Sequence, residues 1–164
     1  MKTILSISLF LTILLLSNCK KSNDTIVPIN CDGLLTDTLG TNDNARIYMP
    51  NAFTPNGDGL NDIIRAIGQN ITSFSFTIYD ANNNVVFSTT QPLMGWSTTS
   101  PANSYTKYYY KIQAVTNAGH NIGTCGDLYR LACRPNNGTV LYFEDQLTAT
   151  GFTGTTMDIL SICP

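Results

Sequence analysis

The chain has 164 residues, with 9 Lys and Arg against 11 Asp and Glu and a formal net charge of −2. Charge this sparse and balanced makes no basic stripe of the kind that phosphate-backbone binding requires, so nucleic acid is not expected as a partner. Thr and Asn are abundant, strong helix formers are scarce, and aromatic residues sit in alternating runs rather than at helical spacing, which is the composition of an exported β-protein.

Lys2 is followed by an apolar run over residues 4–16, broken only by Ser6, Ser8 and Thr12. That run has the length of a signal-peptide apolar region and is too short to span a bilayer comfortably. It ends in Leu16-Ser17-Asn18-Cys19, which resembles the lipobox of bacterial lipoproteins, with Asn18 where Gly, Ala or Ser is usual. Lys20 and Lys21 then stop the run abruptly. The resemblance implies a lipoprotein signal peptide at 1–18, cleavage before Cys19, and a lipid on Cys19. The mature chain is then an outer membrane lipoprotein on the periplasmic or extracellular face. The alternative is an ordinary cleaved signal peptide with an incidental cysteine.

Residues 19–44 are polar and turn-rich, with Pro28, Gly33 and Gly40, and are expected to form a tether. Strand patterns begin at 46–53, where Pro50 makes the segment irregular or an edge. Residues 73–79 put Phe74, Phe76 and Ile78 on one face and Ser73, Ser75 and Thr77 on the other, which predicts a half-buried strand. Residues 80–84 supply a turn and 85–87 return as the hairpin partner. After a loop with Pro92, Gly95 and Pro101, residues 107–115 alternate Tyr108, Tyr110, Ile112 and Ala114 with Tyr109, Lys111 and Gln113. Residues 117–119 turn the chain, 127–133 form the next strand, and 139–143 add one more. The pattern predicts an all-β fold, an immunoglobulin-like β-sandwich of about seven short strands.

The segment Met49-Pro50-Asn51-Ala52-Phe53-Thr54-Pro55-Asn56-Gly57-Asp58-Gly59-Leu60-Asn61-Asp62 resembles the opening of the gliding-motility-associated C-terminal domain, the type B sorting domain of the type IX secretion system. Later features follow the family's order: 76–79 with Asp80, then Val86-Phe87, Gly95-Trp96, Tyr108-Tyr109-Tyr110-Lys111-Ile112, and 126–131. Two departures stand out. Ala81-Asn82-Asn83 replaces the family's Arg-Trp-Gly, and Ser97-Thr98 replaces Asp-Gly. The resemblance implies a sorting-like sandwich over 45–134, followed by a C-terminal extension, 135–164, packed on it. In the family the domain closes the chain behind a large passenger, whereas here the expected lipid anchor would stand in the passenger's place.

If Cys19 carries lipid, Cys31, Cys125, Cys133 and Cys163 remain, and an even number in an exported chain predicts two disulfides with three possible connectivities. Cys125 and Cys133 lie across a predicted strand that would separate them by ~26 Å, whereas a bridge needs Cα atoms within roughly 7 Å. Each is therefore expected to reach Cys31 or Cys163. A transition-metal site is not expected, because no close C-x-x-C pair exists and His120 is the sole histidine.

Asn56, Asp58, Leu60, Asn61 and Asp62 concentrate oxygens on a glycine-rich loop and are the expected ligands of a calcium ion. The competing reading is a turn whose Asn and Asp side chains bond nearby amides. His120 is expected as a solvated turn residue and Trp96 as a plug at one end of the sandwich. These readings predict a non-enzymatic structural or interaction module that meets the membrane through its lipid and an envelope or secretion-machinery protein through its domain, its ligand unspecified. The alternatives are a secretion or surface-attachment signal, a carbohydrate-binding module, and a small envelope hydrolase.

Overall fold

The computed structural model describes residues 31–40, 42–99, 103–148 and 151–164. The segment expected as a signal peptide, 1–18, and Cys19 lie outside the described residues. Among the described residues nine strands form: β1 Arg46–Tyr48, β2 Ala52–Phe53, β3 Ile67–Gln69, β4 Ile71–Tyr79, β5 Val85–Thr89, β6 Tyr105–Thr116, β7 Asn121–Leu131, β8 Leu147–Thr148 and β9 Gly151–Phe152. A 3-10 turn, Glu144–Gln146, precedes β8. The fold is all-β, as the alternating pattern predicts.

The main sheet has the order β2-β7-β6-β4-β5, and β1 pairs with β3 in a separate two-stranded sheet. Phe74, Phe76 and Ile78 of β4 align with Ala114, Ile112 and Tyr110 of β6. Period-2 alternation sends all of them to one face. There they pack with Leu128, Phe53, Ile64 and Ala66, and Ile47 of β1 closes over the cluster. The two sheets thus form the layers of a sandwich.

The predicted strand at 46–53 divides. Pro50 has no N–H to donate to a ladder, and on either side of it the chain joins different sheets. β1 goes to the small sheet, while β2 runs parallel to β7, with Ala52 opposite Tyr129. β7 begins at Asn121, six residues earlier than its pattern indicates, because its first half is polar and glycine-bearing yet pairs in register with β6 from Val115↔Asn121 to Tyr105↔Leu131. Its two glycines are closely approached, Gly123 the more tightly. A Cβ on Gly126 would sit 3.1 Å from the Tyr110 ring, and one on Gly123 would meet Leu34 Cβ at 2.8 Å and the Leu35 carbonyl at 2.9 Å. Residues 139–143 form no strand. Instead Asn51 and Ala52 both donate their amides to the Tyr142 carbonyl, at 2.9 and 3.2 Å.

The outer face of the main sheet is covered from both flanks. Residues 31–37, part of the segment expected as a tether, lie on β6 and β7. The Gln113 side chain accepts from the Leu35 amide at 2.8 Å and donates to the Leu35 carbonyl at 3.0 Å. Asp37 accepts from the amide and side chain of Asn121, and Cys31 is bridged to Cys125 with Cα atoms 5.9 Å apart. At the other end Phe143 packs with Ala52, Tyr129 and Leu131, against Leu141 and Leu160. A second bridge joins Cys133 to Cys163, with Cα atoms 5.0 Å apart.

Candidate functional site

The glycine-rich loop at 56–62 is shaped by three left-handed residues, Gly57 (φ 83°), Gly59 (φ 87°) and Asn61 (φ 51°). A Cβ at either glycine would meet nothing within 4 Å, so the backbone conformation, not crowding, favours glycine there. The alternation turns successive amides inward. Gly57 N–H and Gly59 N–H donate to the two oxygens of the Asp62 carboxylate, each at 2.7 Å. Leu60 N–H donates to Asp58 Oδ1 at 2.8 Å, and Asn56 Nδ2 donates to Asp58 Oδ2 at 2.9 Å. The Leu60 and Asn56 donors hold the Asp58 carboxyl below its ordinary range. The loop therefore folds around its own anion, as backbone nests do. Asn56, Asp58, Leu60 and Asp62 are brought together; each oxygen of Asp58 and Asp62 accepts one hydrogen bond and keeps further acceptor capacity, so the loop is held in shape by its own amides with lone pairs to spare.

Asn61 serves the fold instead. It is buried; its side-chain oxygen accepts from the Asp145 amide at 3.0 Å and its Nδ2 donates to Asp158 Oδ2 at 2.7 Å. Its carbonyl accepts from the Thr54 amide at 2.8 Å, closing the loop. Thr54 Oγ1, also buried, donates to the same Asp158 oxygen at 2.6 Å. Arg65 forms an ion pair with Glu144. The end of the sandwich that bears the motif is thus docked to Glu144, Asp145 and Asp158. The sequence shows Asp145 and Asp158 only as scattered acids, and nothing in the pattern marks them as partners of the motif.

Asp80 accepts from the amides of Asn82 and Asn84 at 2.8 and 2.9 Å and from the Asn84 side chain at 2.9 Å. The Asn84 bonds, foremost among these, hold its carboxyl below the ordinary range. Asn83 takes the left-handed position (φ 63°), one of the few conformations that asparagine tolerates well, so the departure from glycine there keeps the turn. Trp96 sits between Phe53 and Tyr108, with ring centroids at 5.5 and 5.0 Å. It exchanges backbone hydrogen bonds with Ile64. A Cβ on Gly95 would stand 2.9 Å from the Ile64 carbonyl, so the Gly-Trp pair is a packing device.

His120 has a partner that the sequence does not reveal. Its Nδ1 lies 2.5 Å from Asp43 Oδ2, and the Asp43 side chain is 1% exposed while that of His120 is 41% exposed. Asp43 also accepts from Thr116 Oγ1 at 2.7 Å and from the Gly40 amide at 3.1 Å. The Thr116 hydroxyl is the main cause that lowers the Asp43 carboxyl, opposed by burial and assisted by His120. The pair fastens Asp43 to the β6–β7 turn. Among the described residues no Ser or Cys is hydrogen-bonded to the imidazole, so the pair lacks the nucleophile that acyl transfer would require.

These features define a sandwich domain whose family-like motif is structural chemistry: an anion-filled glycine loop, an Asp-centred turn and a tryptophan plug. Residues 47–126 match the family model described as the CHU_C Type IX secretion signal domain. A type IX secretion signal domain is a non-catalytic sorting domain of secreted or cell-surface proteins. No curated protein and no solved structure matches the chain. The matched segment runs from β1 into the middle of β7, and both flanking segments lie outside it.

Proposed function

We propose that the chain is a non-enzymatic, lipid-anchored envelope protein, held at Cys19 in the outer membrane, in which the matched domain serves as a structural or interaction module. The observation that supports this most is the engagement of the motif by the following segment. Asp158 accepts from both Thr54 and Asn61, and Asn51 brackets Tyr142 through its amide and side chain. A motif tied into its own chain is used to build the module. The apolar run ending at Cys19 supports the anchor. The module's partners are then the membrane, through the lipid, and an envelope or secretion-machinery protein.

A second reading, in which the domain is a working secretion or surface-attachment signal, is favoured by the family match over 47–126. The two part in cells without a working type IX translocon. Fractionation and protease treatment of intact cells should find the chain in unchanged amount at the outer membrane, and Cys19→Ala should release it from membranes. Retention inside such cells would overturn the module reading in favour of the signal.

A further inference from the structure

The segment after β7 forms an open cleft of about 740 Å³ that lies wholly outside the family match. Its size falls within the range of ligand pockets, roughly 300–1,000 Å³. Val140, Tyr142, Phe152, Leu160 and Ile162 give it an apolar wall, and Arg134 is the one ionisable cation or anion among the lining residues. Tyr142 and Phe152 face each other with ring centroids 4.9 Å apart. Four large apolar side chains of this wall are exposed to water, Val140, Tyr142, Phe152 and Ile162, the first and last more than half.

The walls are held in place without a ligand. The Cys133–Cys163 bridge closes one side, next to it the Arg134 amide donates to the Ser161 carbonyl at 2.7 Å, and the Thr153 amide donates to the Gln146 carbonyl at 2.7 Å. A preformed pocket avoids the ordering entropy that weakens binding.

Charge selects the ligand. Every other described basic side chain has a partner: Arg46 has the Tyr48 hydroxyl, Arg65 has Glu144, and Lys107 has Asp127. Lys111 reaches the Asp32 carbonyl, and Arg130 donates to Thr99 and Thr106. Among the described residues the Arg134 guanidinium has none. The acid of the adjoining smaller cavity, Asp158, already receives Thr54 and Asn61. A permanently charged, planar donor without a partner beside an aliphatic and aromatic wall fits a carboxylate with an apolar tail.

We propose that this C-terminal cleft is a binding site for an acyl carboxylate, with the tail against Tyr142, Phe152 and Ile162 and the carboxylate on Arg134. Isothermal titration of the full chain carrying Cys19→Ala, which has no acyl chain of its own to compete, tests it with dodecanoate below its micelle concentration and with dodecanol. Dodecanoate should bind once per chain and dodecanol roughly tenfold or more weakly, the usual effect of removing a charged hydrogen-bond partner. Arg134→Gln should abolish that preference, and Ile162→Ser should weaken both ligands by roughly threefold or more through lost apolar contact. Both side chains are exposed, so the fold is retained in each variant. Absence of saturable heat, equal affinity for acid and alcohol, or an Arg134→Gln variant that keeps the preference would each overturn the proposal.

Discussion

On the inner face of the five-stranded sheet Phe76, Ile78, Ile112 and Leu128 are wholly buried, and the small sheet, Trp96 and Phe53 cover them with apolar surface. On the outer face the cover at the N-terminal flank is almost all polar main chain, of which only Leu34 is half-buried among residues 31–40. That flank is held by the bonds of Leu35 to Gln113, of Asp37 to Asn121, and by the Cys31–Cys125 bridge. Burial scales with apolar area, so a segment that offers little area needs another restraint to stay in place. Hydrogen bonds exchanged with water contribute little net stability each, and the covalent bridge makes up the difference. The C-terminal flank is intermediate, with Phe143 and Leu160 packed on Tyr129 and Leu131 and a bridge of its own.

The largest effect that sharpens this contrast is expected from the long-range bridge. Replacing Cys31 and Cys125 together by serine opens a loop closed across 94 residues, worth about 4–5 kcal/mol in the chain-entropy model. Urea denaturation of the oxidised chain and the double variant measures it. On the inner face, Phe76→Ala should destabilise by about 3–5 kcal/mol through lost burial and a cavity, without altering the protection of residues 31–37 in hydrogen exchange of the folded state.

Gly123→Ala reverses that pattern. Its Cβ would press on Leu34 and the Leu35 carbonyl, so it should lift the N-terminal flank, with a loss of about 1–3 kcal/mol and faster exchange at Leu35 and Asp37. The inner core should be unaffected. Equal responses of both faces to Phe76→Ala and Gly123→Ala would show that the two layers are not separable.

The smaller effects concern charge. Asp43, Asp58 and Asp80 titrate below the ordinary carboxylate value in the folded chain. The stability they lend is therefore complete above the unfolded value, about 3.9 for an aspartate, and is lost as pH falls through the lower folded values. Denaturant midpoints should fall below about pH 4, and Asp43→Asn should flatten that fall. Smallest of all is calcium. Because the loop's own donors hold Asp58 and Asp62 in place without an ion, calcium has little left to order, and melting temperatures in millimolar calcium and in chelator should coincide. A rise in calcium that Asp58→Ala removes would restore the ligand reading.

The inner face was legible because its signal is local: Phe74, Phe76 and Ile78 alternate, and Ile112 and Ala114 repeat the pattern. The outer face was not, because Gly123, Cys125 and Gln113 receive partners more than seventy residues away, which no short window contains. The same reason hid the Asp43–His120 pair, separated by 77 positions. Both buried Tyr108 and buried Tyr109 show the cost of reading one face at a time, since adjacent strand residues point to opposite layers and both layers here are covered. The early start of β7 escaped because its glycines and polar residues have low strand propensity, which pairing with β6 overrides. In the glycine loop, composition shows the oxygens of Asp58 and Asp62 but not the amides of Gly57, Gly59 and Leu60 that turn toward them.

The central claim is that each flank is stapled beside the main sheet, one to β7 itself and the other to the residues just after it. Peptide mapping of the full chain under non-reducing conditions tests it most directly. The account predicts one fragment pair joined through Cys31 and Cys125 and another through Cys133 and Cys163, each separating on reduction. A Cys125–Cys133 linked fragment, or Cys31 joined to Cys163, would contradict it.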